Sequence, residues 1–154
     1  MSHNVQGLIA KLACFEAHAE LAPRHRIVAL DQGFGLLLVR GEAGDPEADP
    51  IPSDVASVAQ ALSAHSPVGF VETAYFGGAG VQRAGLWANG ALVRTCLTRT
   101  GETEPEDRAI NTILRALGVD VGDNFDEFAA IGLMDQRSNK DWLATIQAVA
   151  VSHG

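Results

Sequence analysis

Cysteine is scarce in this 154-residue chain. Cys14 and Cys96 are the only two, neither belongs to a Cys-x-x-Cys pair, and two are too few to frame a disulfide scaffold. Long hydrophobic runs are missing as well. No apolar stretch approaches membrane-spanning length, and Met1-Ser2-His3-Asn4-Val5-Gln6-Gly7 lacks the basic region and apolar core of a secretion signal. A cytoplasmic location without membrane contact is therefore expected. Positive charge is short: nineteen carboxylates face eleven Lys and Arg, for a formal charge of -8. Such a field repels phosphate backbones and acidic lipid surfaces, which argues against nucleic acid as a direct ligand.

Catalytic and cofactor signatures are also lacking. His3, His18, His25, His65 and His153 are dispersed, and no pair has the i, i+3 or i, i+4 spacing that puts two ligands on one helix face. No metal site or cofactor is expected. The serines form no Gly-x-Ser-x-Gly elbow, and Cys96 has no local nucleophile signature, so a hydrolase triad would have to come wholly from unmarked positions. Gly77-Gly78-Ala79-Gly80 invites a phosphate-loop reading. It has no Gly-Lys-Ser/Thr ending, no third glycine at the dinucleotide spacing, and a strand after it. A β-bulge or wide hairpin connection needing positive φ is the plainer account.

What is present suits one globular domain spanning 1–154. Apolar residues make up 47% of the chain, enough for a conventional core. Leu8, Leu12, Phe15 and Ala19 recur at helical steps over residues 8–21, although Val5 to Ile9 also reads as a short strand. Pro23 stops that element, and Arg26–Leu30 and Phe34–Val39 read as a hairpin around Asp31-Gln32-Gly33. From Gly41 to Ser53 the chain is an acidic surface loop. Ser53 is then a natural N-cap for a helix over about 54–64. Val68–Phe76, Val81–Ala88 and Ala91–Thr98 read as a meander, with Asn89-Gly90 as a type I′ turn. The last third is helical, with Ile110, Ile113, Leu114 and Leu117 on one face and Gly118 as a C-terminal cap. A shorter helix begins around Asp123–Phe128, and Ser138 caps a last one with Trp142, Ile146 and Val149 inward. Strands followed by helices predict an α+β fold: a largely antiparallel sheet of about five strands packed with three or four helices.

Two constellations carry candidate chemistry. Glu72, Tyr75 and Gln82 flank the glycine tract, and a buried carboxylate near a tyrosine hydroxyl can act as a general acid or base, as in a small enzyme or ligand-binding domain. Strand alternation equally lets Glu72 bond to Arg83 or Arg94 on a neighbouring strand. The second constellation is the acid distribution. Six carboxylates and no Lys or Arg lie between Gly41 and Gln82, Glu102, Glu104, Glu106 and Asp107 form a second group, and Asp120, Asp123, Asp126 and Glu127 a third. These are either solubilising surface or a negative face that steers a basic partner, with Phe125 and Phe128 as anchors or core.

Three segments carry a family resemblance: Gln32–Leu37, Val71–Gln82 with its Tyr75-Phe76-Gly77-Gly78-Ala79-Gly80-Val81-Gln82 hairpin, and Arg137–Leu143. They resemble a group of small bacterial proteins, some of which look like the immunity partners encoded beside secreted polymorphic toxins. The resemblance covers most of the chain and implies a non-enzymatic role. The protein would bind a cognate basic toxin domain and occlude an active site built for an anionic substrate. It supplies no catalytic residue to carry over. Charge and position nominate Glu72, Tyr75, Asp123, Asp126 and Glu127 as partner contacts. A homo-oligomeric structural protein is a third possibility, and the oligomeric state is open.

Overall fold

The structure, a computed structural model, describes residues 4–38, 46–76, 79–136 and 138–153. Among these residues six strands form one antiparallel sheet: β1 (Gln6–Lys11), β2 (Ile27–Ala29), β3 (Phe34–Leu38), β4 (Val68–Phe76), β5 (Ala79–Ala88) and β6 (Ala91–Arg99). Their spatial order is β2-β3-β1-β4-β5-β6. Five α-helices accompany them: α1 (Leu12–Ala17), α2 (Ser53–Leu62), α3 (Ala109–Leu117), α4 (Glu127–Ala130) and α5 (Asn139–His153). This is the expected α+β architecture, with one strand more than the five anticipated and five α-helices in place of three or four.

The extra strand is β1. Residues 8–21 divide into a strand and the short helix α1, in place of one continuous helix. β1 lies between β3 and β4 with Gln6 to Ala10 buried on both faces. A strand covered on both sides has no reason to alternate apolar and polar residues, which is why its periodicity misleads.

Because side chains alternate across a strand, the sheet sorts its residues into two cores. On one face Leu8, Leu37, Val68, Phe70 and Trp87 pack with Phe15 of α1 and Val55, Ala59 and Leu62 of α2. On the other, Val5, Ile9, Leu36, Leu38, Val71 and Ala84 pack with α3, Phe128 of α4 and Trp142 of α5. The sheet is thus the middle of three layers.

Local signals explain the ends of these elements. Gln32 (φ 61°) and Gly33 (φ 78°) turn the β2–β3 hairpin, and Asn89 (φ 54°) and Gly90 (φ 78°) give the β5–β6 connection the paired positive φ of a type I′ turn. Gly118 (φ 97°) closes α3 in the left-handed conformation. Ser138 caps α5, its hydroxyl accepting from the Asp141 amide at 3.1 Å. Ser53 is the first helical residue of α2 and Pro52 occupies the cap position, so the expected serine cap is not formed. Proline at that place fixes φ near the value that helix entry requires.

The connection after Phe76 also differs from expectation. β4 and β5 stay in unbroken register to Phe76↔Ala79, in place of a bulged or wide link. Gly80 pairs inside the sheet opposite Tyr75, whose ring covers it. A Cβ there would sit 2.6 Å from Tyr75 Cε1 and 2.9 Å from Thr100 Oγ1, so the close approach is what demands glycine. The bulge in this meander occurs instead between β5 and β6, at Leu86/Trp87. Gly41 to Asp45, Gly77-Gly78, His3, and the side chains of Val149 and His153 lie outside the described residues.

Candidate functional site

The β4–β5 register decides the first candidate constellation. Gln6, Glu72 and Arg83 sit side by side across β1, β4 and β5, on the face that carries α2. Glu72 is 1% exposed. One of its oxygens accepts from Gln6 Nε2 at 2.5 Å, and the other accepts from Arg83 Nε at 2.8 Å. The Arg83 guanidinium also donates to the Asp49 carbonyl and lies over the Phe70 ring, 5.9 Å from its centroid. Both charges are therefore consumed inside the protein, and together they tie the segment before α2 to the sheet.

Tyr75 and Gln82 project from the opposite face. Gln82 Nε2 donates to Tyr75 Oη at 2.5 Å, while Gln82 Oε1 accepts from the Ile110 amide at 3.0 Å. Thr98 Oγ1 accepts from the Ala109 amide at 2.9 Å. Two strands thereby satisfy the first amides of α3, which has no capping side chain of its own. The sheet separates Glu72 from Tyr75 and Gln82, so these three residues do not converge on a common pocket. A general acid–base site built from them has no geometric basis, because reacting groups must lie within hydrogen-bond reach of one substrate.

The acidic residues resolve differently. Helix α3 is strongly amphipathic, yet it buries Asn111 completely among its apolar neighbours. Asn111 Nδ2 donates to the Pro105 carbonyl at 2.8 Å and to Asp126 Oδ2 at 3.1 Å, and its Oδ1 accepts from the Phe128 amide at 2.9 Å. One turn later, Arg115 Nε donates to Glu127 Oε1 at 3.0 Å and its terminal nitrogen to the Glu106 carbonyl at 3.0 Å. This i, i+4 pair on one helix face fastens the 104–107 segment beside the 120–127 segment. The two acid groups, separated by α3 in sequence, become neighbours in space.

Within that surface the five nominated contacts divide. Asp126 is buried and caps α4, accepting from the Ala129 amide at 2.9 Å, and Glu127 is buried against Arg115. With Glu72, they have their carboxylates turned into the fold, because a buried carboxylate is retained only where donors meet it. Asp123 is exposed and Tyr75 is half-buried. Glu104, Glu106 and Asp107 of the first segment and Asp120 of the second are likewise exposed. Phe125, two residues on, is 75% exposed, whereas Phe128 belongs to the core. Asn111 and Arg115 were missed as organisers of this surface, and the available signal was a polar pair at i, i+4 on an otherwise apolar helix face.

The histidines are less dispersed in space than in sequence. The His18 and His65 rings stack with centroids 4.1 Å apart where the ends of α1 and α2 meet. His18 Nδ1 lies 2.8 Å from the Cys14 carbonyl. Burial pushes the Cys14 thiol up from its ordinary value. Among the described residues no group of three His, Cys, Asp or Glu side chains is placed to hold a metal ion, and no helix is long and apolar enough to cross a membrane. No protein-family model, curated protein or solved structure matches the chain.

Proposed function

We propose that this chain is a non-enzymatic binding protein of immunity type, which neutralises a cognate basic toxin domain in the bacterial cytoplasm by occluding its active site. One observation carries the reading. Asn111 and Arg115 hold two acidic segments together into a single surface, and a phenylalanine that is three-quarters exposed, Phe125, belongs to one of them. A negative field attracts a basic partner over a distance set by salt and raises the association rate. An aromatic ring on a firm base supplies the apolar anchor around which such interfaces concentrate their energy. The surface thus has the charge of a polyanionic substrate without its reactive groups.

The test is co-purification with the product of the adjacent gene, followed by rescue of cells that express that product. Phe125→Ala is expected to leave stability within about 0.5 kcal/mol, as for other surface changes, and to weaken the complex by about 2 kcal/mol, or roughly thirtyfold in Kd. Asp123→Lys is expected to slow association chiefly at low salt. Failure of the neighbouring product to bind, together with failure to rescue, would remove the proposal.

A further inference from the structure

The long outer edge of β6 is used by no strand among the described residues, and its surroundings are unlike the acidic face. Leu92, Val93 and Leu97, three of the five exposed large apolar side chains among the described residues, belong to this one strand. At its foot, on the α2 side of the sheet, lies an open groove of about 570 Å³ lined by Ile51, Ala56, Gln60, Trp87, Leu92 and Leu97, among others. The groove exists because α2 packs over β4 and β5 and leaves β6 uncovered. Gly85 contributes no side chain to fill it, since the Trp87 ring occupies that place; a Cβ on Gly85 would meet Trp87 Cζ3 at 3.0 Å.

Charge selects among occupants. β6 contains Arg94 and Arg99 and no carboxylate, in a chain whose formal charge is -8. Glu47 engages Arg99 at 2.9 Å, while Arg94 is exposed and makes no ion pair among the described residues. The bulge breaks the β6 register near Val93, so Arg94 to Arg99 is the uninterrupted stretch. We propose that this stretch and the adjoining groove form a second docking site, which takes an extended segment of a partner protein by strand addition. The segment carries a bulky apolar side chain that enters the groove and a flanking carboxylate that meets Arg94. Main-chain hydrogen bonds to an open sheet edge supply affinity in such complexes, and the side-chain pocket supplies selectivity. A second copy of the chain suits the edge less well, because β6 paired with itself brings together basic strands with no carboxylate to meet them. The inference stands apart from the immunity reading, since its groove lies beside α2 and the strand edge carries the opposite local charge.

Because side chains alternate along a strand, and Arg94 pairs with Leu86 and so faces away from the groove side, the carboxylates must stand next to the apolar anchor. The probe is a fluorescein-labelled peptide, Gly-Thr-Val-Glu-Phe-Glu-Val-Thr-Gly, titrated with the full chain by fluorescence polarisation at low salt. Saturable binding is expected, weakened about tenfold or more by Leu97→Asp and by Arg94→Glu, each being the loss of at least one sizeable contact. N-methylation of alternate peptide amides is expected to abolish binding, and replacing the two glutamates with lysines to weaken it for the natural chain but not for Arg94→Glu. Phe125→Ala is expected to bind the peptide normally, which keeps this outcome separate from that of toxin binding. Circular dichroism checks that each variant is folded. Absence of binding, equal binding by the N-methylated peptide, or indifference to Leu97→Asp and Arg94→Glu would each overturn the proposal. So would a concentration-dependent dimer in solution that Leu97→Asp dissolves, because the edge would then belong to a second copy.

Discussion

Glu72→Gln removes one negative charge while keeping the length and shape of the side chain, so packing against Gln6 and Phe70 is disturbed little. What changes is the environment of Arg83. Its guanidinium is about nine-tenths buried and loses the carboxylate charge that accepts at 2.8 Å, keeping a neutral amide oxygen in that place beside the Asp49 carbonyl and the Phe70 ring. Breaking a buried pair from one side costs about 3–5 kcal/mol, because the surviving charge stays out of water. Total stability is about 5–15 kcal/mol for a domain of this kind. At about 2–4 °C per kcal/mol for this chain length, the melting temperature should fall by about 6–20 °C. Urea titration followed by far-ultraviolet circular dichroism and by the fluorescence of Trp87 and Trp142 would measure it, with an unchanged m-value showing that the unfolded reference has not moved. The double variant Glu72→Gln/Arg83→Met removes the stranded cation and should be more stable than the single one, though still below the natural chain because the Asp49 carbonyl loses its donor. A loss under about 1 kcal/mol in the single variant, or a double variant less stable than the single, would refute the argument that the charge pair is a buried structural unit.

Gly80→Ala places a methyl group against the Tyr75 ring and Thr100 Oγ1 and should cost about 1–3 kcal/mol by overpacking; the added variant Tyr75→Ala should relieve most of that cost in the same melting assay. Cys14 should react with iodoacetamide far more slowly than the less buried Cys96 at pH 8, read by mass spectrometry of peptides from the folded chain. With its folded thiol pKa above the ordinary 9.0, the stabilising contribution of Cys14 is present below that pH and is lost as pH rises through the folded value. Cys14→Ala should therefore flatten the alkaline limb of the stability profile, and an unaltered limb would count against the burial argument.

Legibility of the sequence varied with how local the deciding interaction is. The β4–β6 meander was readable because β-branched residues, the Asn89-Gly90 turn and strand length act over a few positions. β1 was ambiguous because burial on both faces erases alternation, and only its place between β3 and β4 settles it. Strand alternation already allowed Glu72 to meet Arg83 and turned Tyr75, three positions on in the same strand, to the far side; it takes the inter-strand register to put Gln82 there as well. Asp123 and Asp126 are indistinguishable as letters in an acidic run. What separates them is Asn111, fifteen residues before Asp126, which draws one carboxylate inward at 3.1 Å and leaves the other at the surface. A burial decided by a partner on another element is invisible to a local pattern.

The capping of α3 by Gln82 and Thr98 also has a consequence for the order of events in time. A nine-residue helix is marginal in water by itself, and the side chains that accept from its first amides sit on β5 and β6, 28 and 11 positions earlier in the chain. The helix is therefore expected to gain its lasting form only after the β5–β6 hairpin has closed, with the hairpin as the template on which the second core is laid. Thr98→Val should then speed unfolding and leave the folding rate nearly unchanged; an equal slowing of folding would place α3 in the nucleus instead.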